Sequence, residues 1–150
     1  MSDEKLDEIA SNLLLFIPIF YKKLLKDGHQ HPQVALSNPQ CLVLGILKGS
    51  GPLPTSEIGK RLYISKPNMT SIIDRLIKEG LVERLSDGKD RRIVNVAITE
   101  KGRNTLESHK KAVTEVIKGN LSSMDEKDLI SLSTSLEKIR GIFSRIGEGD

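Results

Sequence analysis

The sequence predicts a mostly α-helical fold carrying one small β-ribbon, and three observations lead there. Apolar residues recur at three- and four-residue steps through most of the chain, the period of amphipathic helices. Only "LVERL" and "RIVNVAI", within residues 81–98, read as strands, short and in the second case β-branched, joined by an Asp-Gly turn. Aromatic residues make up 3% of 150 positions and Trp is absent, so Leu and Ile must do most of the packing, a helix-rich composition.

From Asp3 to about Lys26 the residues Leu6, Ile9, Leu13, Ile17, Phe20 and Leu24 form one stripe. Leu14, Leu15, Phe16 and Ile19 add apolar surface off that stripe, which predicts a helix covered on more than one side, a partner subunit being one source of the second cover. Pro18 removes a backbone donor and predicts a kink or split near Leu14. Residues 27–38, "DGHQHPQVALSN", have no period and read as a loop. Asn38 as a cap, with Pro39 at the first helical position, opens a short helix to about Lys48 with Leu42, Val43, Ile46 and Leu47 inward.

"KGSGPLP" ends that helix, and Thr55 caps the next, "SEIGKRLY", with Ile58 and Leu62 inward and Glu57 favourably placed in the first turn. Ser65 caps "SKPNMTSIIDRLIKEG", in which Pro67 occupies the first turn and Gly80 lies just past the end. Met69, Ile72, Ile73, Leu76 and Ile77 form its inner stripe; Lys66, Asn68, Ser71, Arg75 and Lys78 form the other face. After the ribbon, Thr99 opens a long helix to about Lys118 with Leu106, Val113, Val116 and Ile117 as its stripe. Ser123 with Glu126 predicts a capping box. Leu129, Leu132, Leu136, Ile139, Phe143 and Ile146 then make a heptad-like seam that buries itself on another helix, within the chain or in a second copy.

Composition excludes several classes. One cysteine, Cys41, rules out an internal disulfide framework and suits a reducing compartment, read as the cytoplasm. No run of about 18 apolar residues exists to span a bilayer. "LLLFIPIF" is too short and follows an acidic start, unlike a signal peptide, so no membrane partner is expected. His29 and His31 have no neighbouring Cys or carboxylate cluster and read as loop residues, so no metal is expected. Cys41 beside an apolar run reads as an inert thiol. His109, between Glu107 and Lys110, reads as part of a solvated face. No nucleophile elbow, phosphate loop or His-Glu zinc motif is present, so the chain is not expected to be an enzyme and no catalytic residue or cofactor is assigned.

Charge points the other way. The net charge is +3, yet residues 55–103 hold eleven Lys and Arg against seven Asp and Glu, while the rest of the chain is close to neutral. A local basic field with neutral flanks is the footprint of phosphate binding. Two short helices separated by "YIS" and followed by a ribbon with a charged tip make a winged helix-turn-helix, in which the second helix enters a major groove. Ser65, Lys66, Pro67, Asn68, Thr70 and Ser71 are compact enough for that groove, and Arg75, one or two turns later, reaches a phosphate. At the ribbon tip, Asp90 is placed to hold Arg92 and Asp87 to shape the turn, leaving Lys89 and Arg91 for DNA.

"LPTSEIGKRLYISKPNMTSIIDRLIKEGLVERLSDGKDRRIVNVAITEKG" resembles the DNA-binding core of the MarR family of prokaryotic transcriptional regulators, whose pattern runs from "DRL…GLV.R" through a "D-x-R-D-x-R" wing to a "LT..G" helix start. The resemblance implies a winged helix-turn-helix DNA-binding lobe, about 38–99, with N- and C-terminal dimerisation helices, about 3–37 and 100–146, in one domain. It also implies a homodimer on a pseudo-palindromic double-stranded DNA operator, usually repressing. Many members release DNA when a small, often phenolic, effector enters a pocket between the dimerisation helices and the lobe. Asp87, Asp90 and Arg92 match the wing signature and Arg84 the base after "GLV". Lys89 stands where the family usually has Arg; it keeps the charge without the planar fork, so minor-groove reading and plain phosphate contact both stay open. Leu6, Ile9, Leu13, Leu136, Ile139 and Phe143 fall on the dimerisation helices. A winged-helix protein-interaction subunit, its basic ribbon on an acidic partner, is the alternative.

Overall fold

The structure is a computed structural model that describes residues 1–86, 89–90 and 92–147; the sequence assignments on Asp87, Gly88 and Arg91 lie outside the described residues. The elements are α1 (Asp3–Leu24), a 3-10 turn (Gly28–Gln30), α2 (Asn38–Ser50), β1 (Leu53–Pro54), α3 (Thr55–Leu62), α4 (Lys66–Lys78), β2 (Val82–Ser86), β3 (Val94–Ile98), α5 (Glu100–Leu121) and α6 (Glu126–Phe143). The chain divides into two compact units: residues 28–114, and residues 1–27 with the chain from 115 onward.

In the 28–114 unit, the succession α2, β1, α3, α4, β2, β3 is that of a winged helix-turn-helix. Its core gathers Val43, Leu44 and Leu47 from α2, Ile58 from α3, and Met69, Ile73 and Leu76 from α4 under Leu81, Val82 and Val96 of the sheet. The sheet is antiparallel in the order β1-β3-β2, with Val82 opposite Ile98, Arg84 opposite Val96 and Leu53 also opposite Val96. The sequence reading had two strands. The third escaped it because two residues carry no period, and Pro54 is tolerated there because β1 is an edge strand.

Several boundaries differ from expectation for local reasons. The cap of α2 is Ser37, not Asn38: its hydroxyl accepts from the Gln40 N–H while Gln40 Oε1 accepts the Ser37 N–H at 2.9 Å, closing a capping box. The core-facing residues of α2 are Val43, Leu44 and Leu47, while Leu42, expected inward, is exposed. Thr55 is the first helical residue of α3, behind Pro54. Asp125, not Ser123, caps α6, its carboxylate accepting the Asp128 N–H at 2.8 Å.

His109 is a correction of a different kind: it is buried, 7% exposed, and its Nδ1 accepts the Leu36 N–H at 3.3 Å. Gly102, Leu106, His109 and Ala112 form the inner stripe of α5 in this unit. Glycine and alanine are invisible to a count of large apolar residues, so the stripe could not be read from Leu106 alone.

At the root of the ribbon, the start of α5 is bonded to the end of α4. Gly80, at φ 74, turns the chain after α4, and the Thr99 N–H donates to Leu81 O at 3.1 Å. The Thr99 hydroxyl donates to Gly80 O at 2.7 Å and accepts the Gly102 N–H at 3.0 Å, capping α5. Lys101 Nζ adds a bond to Glu79 O at 2.9 Å, a cation on the carbonyl end of α4.

In the other unit, α1 is one continuous 22-residue helix that Pro18 does not split, and the lost donor is a single bond in its ladder. Asn120 Nδ2 donates to Leu24 O at 2.9 Å and to Lys26 O at 3.3 Å, closing the end of α1. Leu6, Ile9 and Leu13 on α1 and Leu136, Ile139 and Phe143 on α6 are all exposed, while Leu129 and Leu132 are half-buried and Ile146 lies beyond the helix. Among the described residues neither α1 nor α6 buries a side chain, so the cover expected for α1 is not found there. No helix among the described residues is long and apolar enough to cross a membrane.

Two predictions follow from the α5 contacts. A Cβ on Gly102 would overlap Leu81 O and come within 2.8 Å of Ile98 Cγ1. Gly102→Ala should therefore destabilise the fold by about 2–3 kcal/mol in denaturant melts, outweighing the roughly 1 kcal/mol of helix propensity it gains. Burial holds the His109 pKa below its ordinary 6.5, so the native state favours the neutral ring that accepts from Leu36. Its contribution is fully present above that unfolded value and is lost as pH falls through the lower folded one. Thermal melts should show stability falling in that acidic window, and His109→Asn, which keeps an acceptor without titrating there, should flatten the dependence.

Candidate nucleic-acid interface

α3 carries Ile58 and Gly59 inward and ends in a left-handed turn at Tyr63, φ 54 and ψ 39. The Ile64 N–H reaches back to Gly59 O at 3.0 Å and the Tyr63 N–H to Lys60 O at 3.3 Å, the six-to-one pattern that reverses the chain after a helix. A Cβ on Gly59 would lie 3.1 Å from Ile64 O, so glycine there lets the turn close tightly. The turn delivers Ser65 in extended backbone as the cap position of α4.

The inner face of α4 is pinned by Met69, Ile73 and Leu76, which leaves Ser65, Lys66, Pro67, Asn68, Thr70, Ser71 and Arg75 all exposed. The structure thus gathers these predicted residues on the outside of one helix. Ser65 is the cap residue, as the sequence predicts, but its hydroxyl makes no capping bond; its carbonyl accepts the Met69 N–H at 2.8 Å. Thr70 Oγ1 donates to Lys66 O at 3.0 Å. That bond uses its one proton, so toward a ligand Thr70 can only accept.

The bases are held by neighbouring acids. Arg84 on β2 meets Asp74 of α4 at 2.8 Å, bridging helix and ribbon, and Arg75 meets Glu79 one turn on at 3.2 Å. Asp90 Oδ1 accepts the Arg92 N–H at 2.9 Å and lies 3.4 Å from Arg92 Nε, while Asp90 O accepts the Ile93 N–H at 3.1 Å. This is the arrangement in which the acid organises the base. Lys89 and Arg92 are exposed. Such solvent-facing pairs contribute under about 1 kcal/mol each to stability. Their effect is on where the guanidinium groups point.

Between α3, α4 and β2 lies a cleft of about 610 Å³, whose lining includes Ser56, Lys60, Tyr63, Lys66, Thr70 and Arg84. Its apolar lining includes Ile64, Met69 and Ile73, and among the described residues the charged groups lining it are the cations Lys60, Lys66 and Arg84. Ser56 and Tyr63 were not singled out from the sequence: a polar residue in a first helical turn and an aromatic at a helix end carry no periodic signal.

Elsewhere the chemistry is sparse. His31 Nδ1 accepts the Gln33 N–H at 3.2 Å, His29 is exposed, and no group of three metal-ligating side chains occurs among the described residues. Cys41 is half-buried; burial raises its thiol pKa, with Lys110 acting weakly in the opposite sense, which disfavours the reactive thiolate.

The sequence profile of the MarR family matches residues 36–94. The transcriptional regulator AdcR of Streptococcus pneumoniae is 37% identical over 82 residues, which span 55% of this chain and 56% of AdcR. YkoM of Bacillus subtilis, an uncharacterized HTH-type transcriptional regulator, is 30% identical over 125 residues, 81% of this chain and 76% of YkoM. Among solved structures, the transcriptional regulator BldR of Sulfolobus solfataricus superposes with a TM-score of 0.67 at 26% identity, over 97% of this chain and all of BldR.

Proposed function

This chain belongs to the MarR family and is a transcriptional regulator, not an enzyme, and from that premise we propose that it binds a pseudo-palindromic DNA operator as a homodimer in the cytoplasm, represses by occupying it, and is released by a small organic effector. The observation that carries the reading is the outer face of α4. Ser65, Lys66, Pro67, Asn68, Thr70 and Ser71 stand exposed in its first two turns beside a ribbon bearing Arg84, Lys89 and Arg92.

Each group then has a role. The start of α4 lies in the major groove, where Asn68 and Ser71 present donors and acceptors to base edges. Lys60, Lys66, Arg75, Arg84, Lys89, Arg91 and Arg92 neutralise phosphates, and Asp87 and Asp90 shape the wing. Two copies place their recognition helices about 34 Å apart, one turn of the duplex. The second copy covers the apolar residues Leu6, Ile9 and Leu13 of α1 and Leu136, Ile139 and Phe143 of α6, which one chain leaves in water. An effector acts to the extent that it binds better to a dimer with wrongly spaced helices.

An electrophoretic shift titrated with salt tests the reading. Binding to a duplex should weaken by about a thousandfold or more between 50 and 200 mM salt if six or more phosphates are contacted. Lys66→Ala and Arg92→Ala should each reduce the log–log slope by about one. Absence of any shift at low salt would overturn DNA binding and leave an acidic protein surface as the partner of the ribbon.

A further inference from the structure

Tyr63 is the most exposed of the large hydrophobic side chains, at 98%, and holds a left-handed backbone, φ 54 and ψ 39. A bulky residue is an outlier in that region, where glycine or asparagine sits with little strain. Core packing does not explain its presence, because the ring touches almost nothing. Its position does suggest a use. The residue forms the turn that delivers α4, and it borders the same cleft as Lys60, Lys66, Thr70 and Arg84. A strained residue whose side chain stands clear of the protein among cations is placed to meet a ligand of opposite charge.

We propose that Tyr63 is a DNA-contacting residue, its phenolic hydroxyl donating a hydrogen bond to a backbone phosphate oxygen at the edge of the half-site read by α4. This rests on the DNA-binding reading above and adds to it a neutral contact. In a helix-turn-helix the first helix crosses the backbone while the second enters the groove, so the turn between them lies beside the sugar-phosphate chain. Thr70, whose proton is used within α4, can only accept from a ligand, and the lysines and arginines hold phosphates through charge. Tyr63 supplies a donor that fixes register without adding to the salt dependence. The left-handed turn is what aims it outward.

The probe is a fluorescein-labelled duplex of about 30 base pairs, long enough for two half-sites one turn apart, selected by the wild-type protein from a randomised pool. Fluorescence anisotropy should show Tyr63→Phe weakened by about three- to tenfold, as for loss of one neutral hydrogen bond. Its salt slope should equal the wild-type slope, because a neutral donor releases no counterion, whereas Lys66→Ala should lose about one unit of slope. Tyr63→Gly should bind at least as weakly yet melt at a higher temperature, since glycine relieves the left-handed turn. Tight binding by the wild type and by both variants alike would overturn the assignment of Tyr63 alone. Loss in Tyr63→Gly only would overturn the hydroxyl contact, and failure of the wild type to bind any duplex would overturn this inference together with the reading beneath it.

Discussion

The hydroxyl of Thr99 is the joint on which the placement of α4 and the ribbon depends. It donates to the carbonyl of Gly80 and accepts the amide of Gly102, so a single side chain ends the turn after α4 and begins α5. Around it the Thr99 amide meets Leu81 O, and the absence of a side chain at Gly102 lets α5 approach that same carbonyl. β2 leaves this joint and β3 returns to it, with Val82 opposite Ile98 as their first pair. Because side chains alternate along a strand, this register decides which ribbon residues face the core. Val82, Arg84 and Val96 share one face: Val82 and Val96 are buried at the root, and Arg84, paired with Val96, is exposed and meets Asp74 of α4.

The two units contrast in how they satisfy their apolar surface. The 28–114 unit closes a core of its own, with Val43, Leu44, Leu47, Ile58, Ile73 and Leu76 fully buried. In the other unit neither α1 nor α6 buries any residue, although both carry long apolar stripes. Burial of apolar side chains from water is worth about 25 cal/mol per Å². Contiguous exposed apolar surface is commonly an interface.

Much of the lobe was legible in the sequence, and the failures have physical causes. Met69, Ile73 and Leu76 follow a helical period that Pro67 opens and Gly80 closes, and the structure has α4 within a residue of that reading. The Asp90 and Arg92 contact was legible because a short acid two residues before a base can bond its backbone and side chain together. His109 was misplaced because its stripe consists of Gly102, Leu106 and Ala112, two of which carry little apolar surface to count. The cap of α2 moved because Ser37 and Gln40 form a reciprocal pair that Asn38 and Pro39 obscured. The strand Leu53–Pro54 exists only through its pairing with β3, and the outward turn at Tyr63 only through the bonds of its backbone. Such tertiary choices leave no period to read.

Native-state hydrogen exchange of three amides, Leu81, Thr99 and Gly102, tests most directly whether α4 and the ribbon are held as one piece. Their partners are Leu76 O, Leu81 O and the Thr99 hydroxyl. If the joint organises the surface, all three exchange only through the opening that also exposes core amides such as those of Leu44 and Ile73, with the same denaturant dependence. Exchange of the three by small local fluctuations, while the core amides stay protected, would contradict the account and mean that wing and helix are positioned independently.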